Sequence, residues 1–175
     1  MRSAAFFIAA AVTVALCAAT AAFAQGNAMF GGFAAQSNDP ISIDAEELQW
    51  TQQGDRQVLE YSGNVVATRG TMTIRAATLA VFLPVDGAAQ GGTFDRIEAS
   101  GNVSIVAGDQ NASAQSAVMD MVNRNVVMSG NVTLNDGVNQ MSGQRLTINL
   151  DTGNWQLEGG GGDDNRVRTI VNPEP

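Results

Sequence analysis

The chain has 175 residues, with nine Lys+Arg against seventeen Asp+Glu, no histidine and a formal net charge of −8. Nothing in it neutralises a run of phosphates, which excludes nucleic acid as a partner and electrostatic docking onto an anionic membrane. With no histidine, no lysine and one cysteine, Cys17, general-base and covalent catalysis lack their usual agents, so no catalytic residue, metal ligand or cofactor is assigned.

Residues 1–24 read as a cleaved export signal. Arg2 opens it, Ala4 to Ala22 is an alanine-rich apolar run, and Ala22-Phe23-Ala24 is an A-x-A motif that places cleavage between Ala24 and Gln25. The run is short for a membrane span, which needs about 20 apolar residues. Leu16 before Cys17 is not the small residue that a lipoprotein site wants. Beyond the signal there is no cysteine, so disulfides play no part. About 151 residues remain, enough for one domain with a real core. Residues 25–38, small and rich in Gly and Ala, read as a flexible leader that Asp39-Pro40 closes.

From Ile41 onward a two-strand unit repeats. Its second strand carries a fixed corner: Ser62-Gly63-Asn64, Ser100-Gly101-Asn102 and Ser129-Gly130-Asn131, each followed by valine. The glycines lie 38 and then 29 residues apart, and a further 29 lead to Gly159. Around each glycine apolar residues alternate: Leu59, Tyr61, Val65, Ala67; Ile97, Ala99, Val103, Ile105; Val126, Met128, Val132, Leu134; then Trp155 and Leu157. Alternation of period two predicts strands with one buried face, bent over that face where glycine carries no side chain. The preceding strands, Ile43–Trp50, Ile74–Val81, Ala112–Met119 and Met141–Ile148, slip by one residue after a small position, as a β-bulge does.

Turn signals at Gly54-Asp55, Arg69-Gly70, Asp86-Gly87, Gly108-Asp109, Asn123 to Asn125, Asp136-Gly137 and Gly153-Asn154 separate the strands. The longer second repeat fits an insertion in the loop from Pro84 to Gly92. The prediction is therefore all-β: an antiparallel meander of bent strands over 39–159, folded into a V-shaped sandwich open along one side. Its first strand (Ile41 to Trp50) and last (Trp155 to Gly159) are left as edges without the usual blunting lysines. Residues 160–175 read as a flexible polar tail, a reading preferred over a single calcium-binding turn at Gly159 to Asp164.

The carboxylates Asp44, Glu47, Glu60 and Glu98 alternate with the apolar rows, which puts them on solvated faces. The corner asparagines suit an unusual backbone and local hydrogen bonds. What is left for function is the interior. Small residues there (Ala45, Ala67, Ala76, Ala99, Ala112, Ala114, Ala117, Gly143) predict an elongated apolar groove of the kind that takes acyl chains.

The opening Pro40-Ile41-Ser42-Ile43-Asp44-Ala45, the repeated Ser-Gly-Asn-Val corners and the export signal resemble the LptA/OstA-like periplasmic lipopolysaccharide-transport proteins over 39–159. The resemblance implies a twisted β-jellyroll of V-shaped section, a periplasmic location, and lipid A acyl chains held in the groove. By carry-over the lipid-lining positions are Ile43, Leu48, Tyr61, Val65, Ile74, Leu79, Ile97, Val103, Ile105, Met128, Val132 and Ile148. It also implies a bridge of copies joined head to tail through the edges at Ile41, Ile43, Trp155 and Leu157, meeting LptC-like inner-membrane and LptD-like outer-membrane jellyrolls. The LptC-like proteins keep an N-terminal helix, and the LptD-like ones carry a large barrel. Two alternatives stand beside this reading: an LptC-like, inner-membrane-associated member of the same machinery, and a structural β-repeat protein. Hairpin turns at both ends of each strand oppose the latter.

Overall fold

A computed structural model describes residues 39–84, 94–135, 139–160 and 166–171. The export signal, the leader and most of the Pro84–Gly92 loop lie outside the described residues. Ten strands follow in order: β1 (Ser42–Asp44), β2 (Glu47–Gln53), β3 (Arg56–Arg69), β4 (Met72–Pro84), β5 (Arg96–Ala107), β6 (Gln110–Asp120), β7 (Asn125–Asn135), β8 (Asn139–Asn149), β9 (Trp155–Glu158) and β10 (Arg168–Val171). No helix occurs among the described residues. β3 to β8 form an antiparallel meander of hairpins, with β1 and β2 both pairing β3 and β9 and β10 both pairing β8. The architecture is the open all-β meander that the period-two pattern implies.

The register shows how the strands bend. Ser62 pairs with Thr78 and Val65 with Ala76, so Gly63-Asn64 stand against the single residue Ala77. The same count recurs between β5 and β6 and between β7 and β8. The extra residue therefore belongs to the Ser-Gly-Asn strand, which corrects the expectation that the phase-slipped strands carry the bulge. Its cause is two successive left-handed residues: φ is 81° and 46° at Gly63-Asn64, 79° and 53° at Gly101-Asn102, and 84° and 50° at Gly130-Asn131. The partner strand, one residue shorter through the corner, displays the slip in its side-chain alternation.

A second expectation is also corrected. The corner glycines do not relieve crowding on the inner face. A Cβ on Gly101 would lie 2.5 Å from the Ala77 Cβ, and one on Gly130 would lie 2.7 Å from Gln115 Oε1. Ala77 and Gln115 are exposed, so glycine is required where neighbouring strands approach on the outside of the corner. Two of the corner asparagines likewise bond to the neighbouring arm. Asn64 Nδ2 donates to Glu46 Oε1 at 2.6 Å, and Gln144 Nε2 donates to Asn131 Oδ1 at 3.2 Å.

The corners divide the sheet into two facing halves. One runs from β2 to β9 and the other from β1 to β10, and both interior faces join one core. Each terminal arm is a bent strand cut at its corner. At the start the cut is Ala45-Glu46, where the Glu46 N–H is shared by the carbonyls of Ser62 and Gly63, both at 3.1 Å. At the end it is the excursion from Gly159 to Val167. The expected tail therefore contains a strand, since Arg168–Val171 pairs with Asn139–Ser142. Thr169, Ile170 and Val171 are β-branched, and the first half of β8 offers them an otherwise unpaired edge.

Candidate functional site

Pairing register turns the interior into four mainly apolar rows, two of which cross the sheet from one edge strand to the other with an apolar residue on every strand. In the β2–β9 half one ladder runs Trp50, Leu59, Val81, Ile97, Met119, Val126, Ile148, Trp155. Beside it run Leu48, Tyr61, Leu79, Ala99, Ala117, Met128, Leu146 and Leu157. The β1–β10 half carries Ile43, Ala67, Ile74, Ile105, Ala112, Leu134 and Met141, ending at Thr169. Nearer the corner run Val65, Ala76, Val103, Ala114, Val132 and Gly143. Among the described residues no polar or charged side chain is buried. Each large side chain fully withdrawn from water contributes about 1.5–3 kcal/mol.

The groove-lining residues expected from sequence fall on these ladders. Val65, Ile74, Leu79, Val103, Ile105, Met128, Val132 and Ile148 are buried, while Ile43, Tyr61 and Ile97 are half-buried against them. Leu48 lies on the same ladder as Met128 yet is 53 % exposed, because its strand is the sheet's edge and nothing covers it. Of the expected interface residues, Ile41 and Trp155 are exposed and Leu157 half-buried. Sequence reasoning passed over Trp50 at 56 % exposure and Ile170 and Val171 on β10. The alternation that placed Leu48 also reaches Trp50, and the β-branched run 169–171 was the signal for β10.

The halves close more tightly than the small inner residues suggested. Between them lies an apolar cavity of about 30 Å³ lined by Ile41, Ile43, Ala67, Met72, Ile74 and Ile97. A second, of about 20 Å³, sits beside Ala99, Ala117 and Met119. Ile74 and Ile97 line both cavities and stand between them. A single water needs roughly 10–15 Å³ on this measure, so neither void holds an acyl chain without the halves parting. Of these two cavities along the seam between the halves the wider is at the β1 edge, and neither by itself is the elongated groove expected from sequence. In the pairing register Ala112 stands beside Leu134 and Ala117 beside Met128, so small residues of one strand meet large ones of the next.

Outside the corner, at the opposite end, a polar recess of about 280 Å³ is lined by Asn131, Thr133, Ser142, Gln144, Gly160 and Arg166. Arg96 pairs with Glu98 and Arg124 with Asp151, both solvent-exposed and so weak. Asp120 has its carboxyl held below the usual range, chiefly because it accepts the Asn123 backbone N–H at 2.8 Å and also the Asn123 side-chain amide. Nowhere among the described residues do three or more acidic, His or Cys side chains gather as a metal site would require. The chemistry offered is burial of hydrocarbon and pairing of strand edges.

Comparison with known proteins bears on the family and the fold. The profile of the family described as "LptA/(LptD N-terminal domain) LPS transport protein" matches residues 42–154. An uncharacterised protein of Rhizobium meliloti is 31 % identical over 161 residues, covering 89 % of this chain and 84 % of that one. Among solved structures, Pseudomonas aeruginosa LptH, the LptA-homologous periplasmic component of that organism's lipopolysaccharide transport device, superposes with a TM-score of 0.59. That match covers 77 % of this chain and 96 % of LptH at 16 % identity, so it is a likeness of fold.

Proposed function

The chain belongs to the LptA/(LptD N-terminal domain) family of lipopolysaccharide-transport proteins, and from that premise we propose that it is a non-enzymatic periplasmic carrier that shields lipopolysaccharide acyl chains between its two halves. The observation that carries this reading is the set of apolar ladders with no buried polar side chain among the described residues. An acyl chain laid along them meets only hydrocarbon. Each methylene it buries contributes about 0.8 kcal/mol, which offsets the apolar packing given up when the halves part.

Parting breaks no strand pair, since every pairing lies within one half or the other and the chain joins them only at the corners. The seam starts to open at the cavity beside Ile41 and Ile43, with Ile74 and Ile97 as the first residues to be displaced. The residues that line the lipid are Ile43, Leu48, Tyr61, Val65, Ile74, Leu79, Ile97, Val103, Ile105, Met128, Val132 and Ile148. Copies join end to end, the β1/β2 edge of one against the β9/β10 edge of another, with LptC-like and LptD-like jellyrolls at the ends of the row. The exposed Leu48, Trp50, Trp155 and Ile170 on those two edges support that mode of assembly. Export with cleavage after Ala24 brings the chain to the periplasm.

Native mass spectrometry on protein purified from the periplasm tests the reading. Bound lipopolysaccharide that detergent displaces is the expected result. Protein that stays lipid-free after incubation with lipopolysaccharide micelles contradicts it.

A further inference from the structure

Among the described residues the two edges differ in charge, although the sequence between β9 and β10 also holds Asp163 and Asp164. Asp44, Glu46 and Glu47 lie on or between β1 and β2, and the first arginine among the described residues is Arg56. At the other edge stand Arg145, Arg166 and Arg168 with Glu158. Among the described residues neither Asp44 nor Arg168 has an ion-pair partner.

Both residues belong to one outward row. Register links Asp44 to Val66, and then Arg75, Ser104, Ser113, Thr133, Ser142 and Arg168 in turn. The arm made of β9 and β10 runs opposite to the arm made of β1 and β2. A second copy can therefore continue the sheet without reversing a strand or a face. Laid in the row-preserving register, Trp155 meets Trp50 of the second copy, Leu157 meets Leu48, and Thr169 meets Ile43. Every inner ladder that reaches both edges then passes from one molecule into the next. In that register Arg168 stands directly beside Asp44 of the second copy.

We infer that the β10 edge is a register lock for a second copy of this chain, in which Arg168 pairs with Asp44 and selects the one alignment that joins the inner ladders. This deepens the end-to-end reading and rests on it. A slip by two residues would keep inner faces inward, so side-chain facing alone does not choose the alignment. The ion pair does, and it sits on β10, outside the part of the fold that the repeats define. One feature of the register opposes it: Glu158 comes to lie beside Glu47 of the second copy, with Arg145 flanking Glu158 on its other side. The register therefore predicts effects of opposite sign at two neighbouring positions.

The test is analytical ultracentrifugation of the purified full chain at low salt. Arg168→Asp should weaken association roughly three- to tenfold, as expected for an opposite-charge cross-strand pair turned into a like-charge one. Asp44→Arg should do the same, and the double variant, which restores opposite charges across every junction, should return to within about twofold of the parent. Glu158→Gln should tighten association. All four differences should shrink in about 0.5 M salt, where screening is complete within a few ångström. Register is read separately in a Cys17→Ser background, where the chain has no other cysteine. Leu48→Cys with Leu157→Cys should form intermolecular disulfides, and the slipped combination Trp50→Cys with Leu157→Cys should not. Oligomers indifferent to Arg168→Asp, or cross-linking in the slipped combination, overturn the lock while leaving end-to-end assembly standing. A parent chain that remains monomeric at all concentrations, or joins only a related jellyroll and not itself, overturns the choice of a second copy.

Discussion

The middle of the molecule and its two ends are built from the same ladders, yet they differ in every property that matters. Met128 and Leu146 are 0 % exposed, whereas Leu48, on the same ladder, is 53 % exposed. Trp50 and Trp155 are 56 % and 44 % exposed and close the two ends of the neighbouring ladder. Apart from Val122 in the β6–β7 turn, the large exposed apolar residues lie on or beside the terminal arms. Composition does not separate the two regions, and neither does alternation. What separates them is whether another arm follows. An end of this sheet is an interior position whose neighbour has not arrived.

That contrast can be broken by substitution. The largest effect is expected in the middle: Leu146→Ala should lower the unfolding free energy by about 2–5 kcal/mol, through lost burial and the cavity left behind. Leu48→Ala at the edge should change it by no more than roughly 0.5 kcal/mol. Equal costs in urea unfolding would erase the distinction between the regions. Next come the glycines. Gly101→Ala must keep a left-handed φ and also push the new Cβ into Ala77, whereas a Cβ on Gly54 in the β2–β3 turn meets nothing within 4 Å. The strained backbone alone costs roughly 1–2 kcal/mol, so Gly54→Ala should stop near that figure and Gly101→Ala should exceed it.

At the ends, Trp50→Ser or Trp155→Ser should leave the melting temperature within a few degrees of the parent. Either should weaken association about tenfold, because an exposed aromatic on an edge adds to assembly and not to folding. A collapse in melting temperature with association intact would reverse that assignment. The smallest effect is a titration. Asp120 has a lowered pKa in the folded chain, so its contribution is present above its ordinary value of 3.8 and is lost as pH falls through the lowered native value. Asp120→Asn should therefore be less stable than the parent at pH 7, and the difference should shrink as pH falls below 3.8.

Much of this was legible from sequence because period two reports facing directly. The ladders, the hairpin turns and the bent strands all follow from alternation that runs through a recurring Ser-Gly-Asn. The pattern was silent on distance. It placed Ala99 and Ala117 inward but could not show that the cavity beside them amounts to only about 20 Å³. It also misassigned the extra residue of each bulge, because a phase slip appears on the strand that follows the bend while the left-handed pair that makes the bend keeps its alternation. β10 was missed for a different reason. It lies past a glycine run and has no corner of its own, since it is the second half of an arm whose first half is β9.

Incorporation of a photo-crosslinking amino acid in living cells tests the central claim most directly. At Ile74 and Ile97, which line the seam between the halves, the probe should capture lipopolysaccharide, while at Glu60 and Glu98 on the outer face it should not. Equal capture at all four positions, or capture at Glu60 and Glu98 alone, would contradict a carrier that holds lipid between its halves.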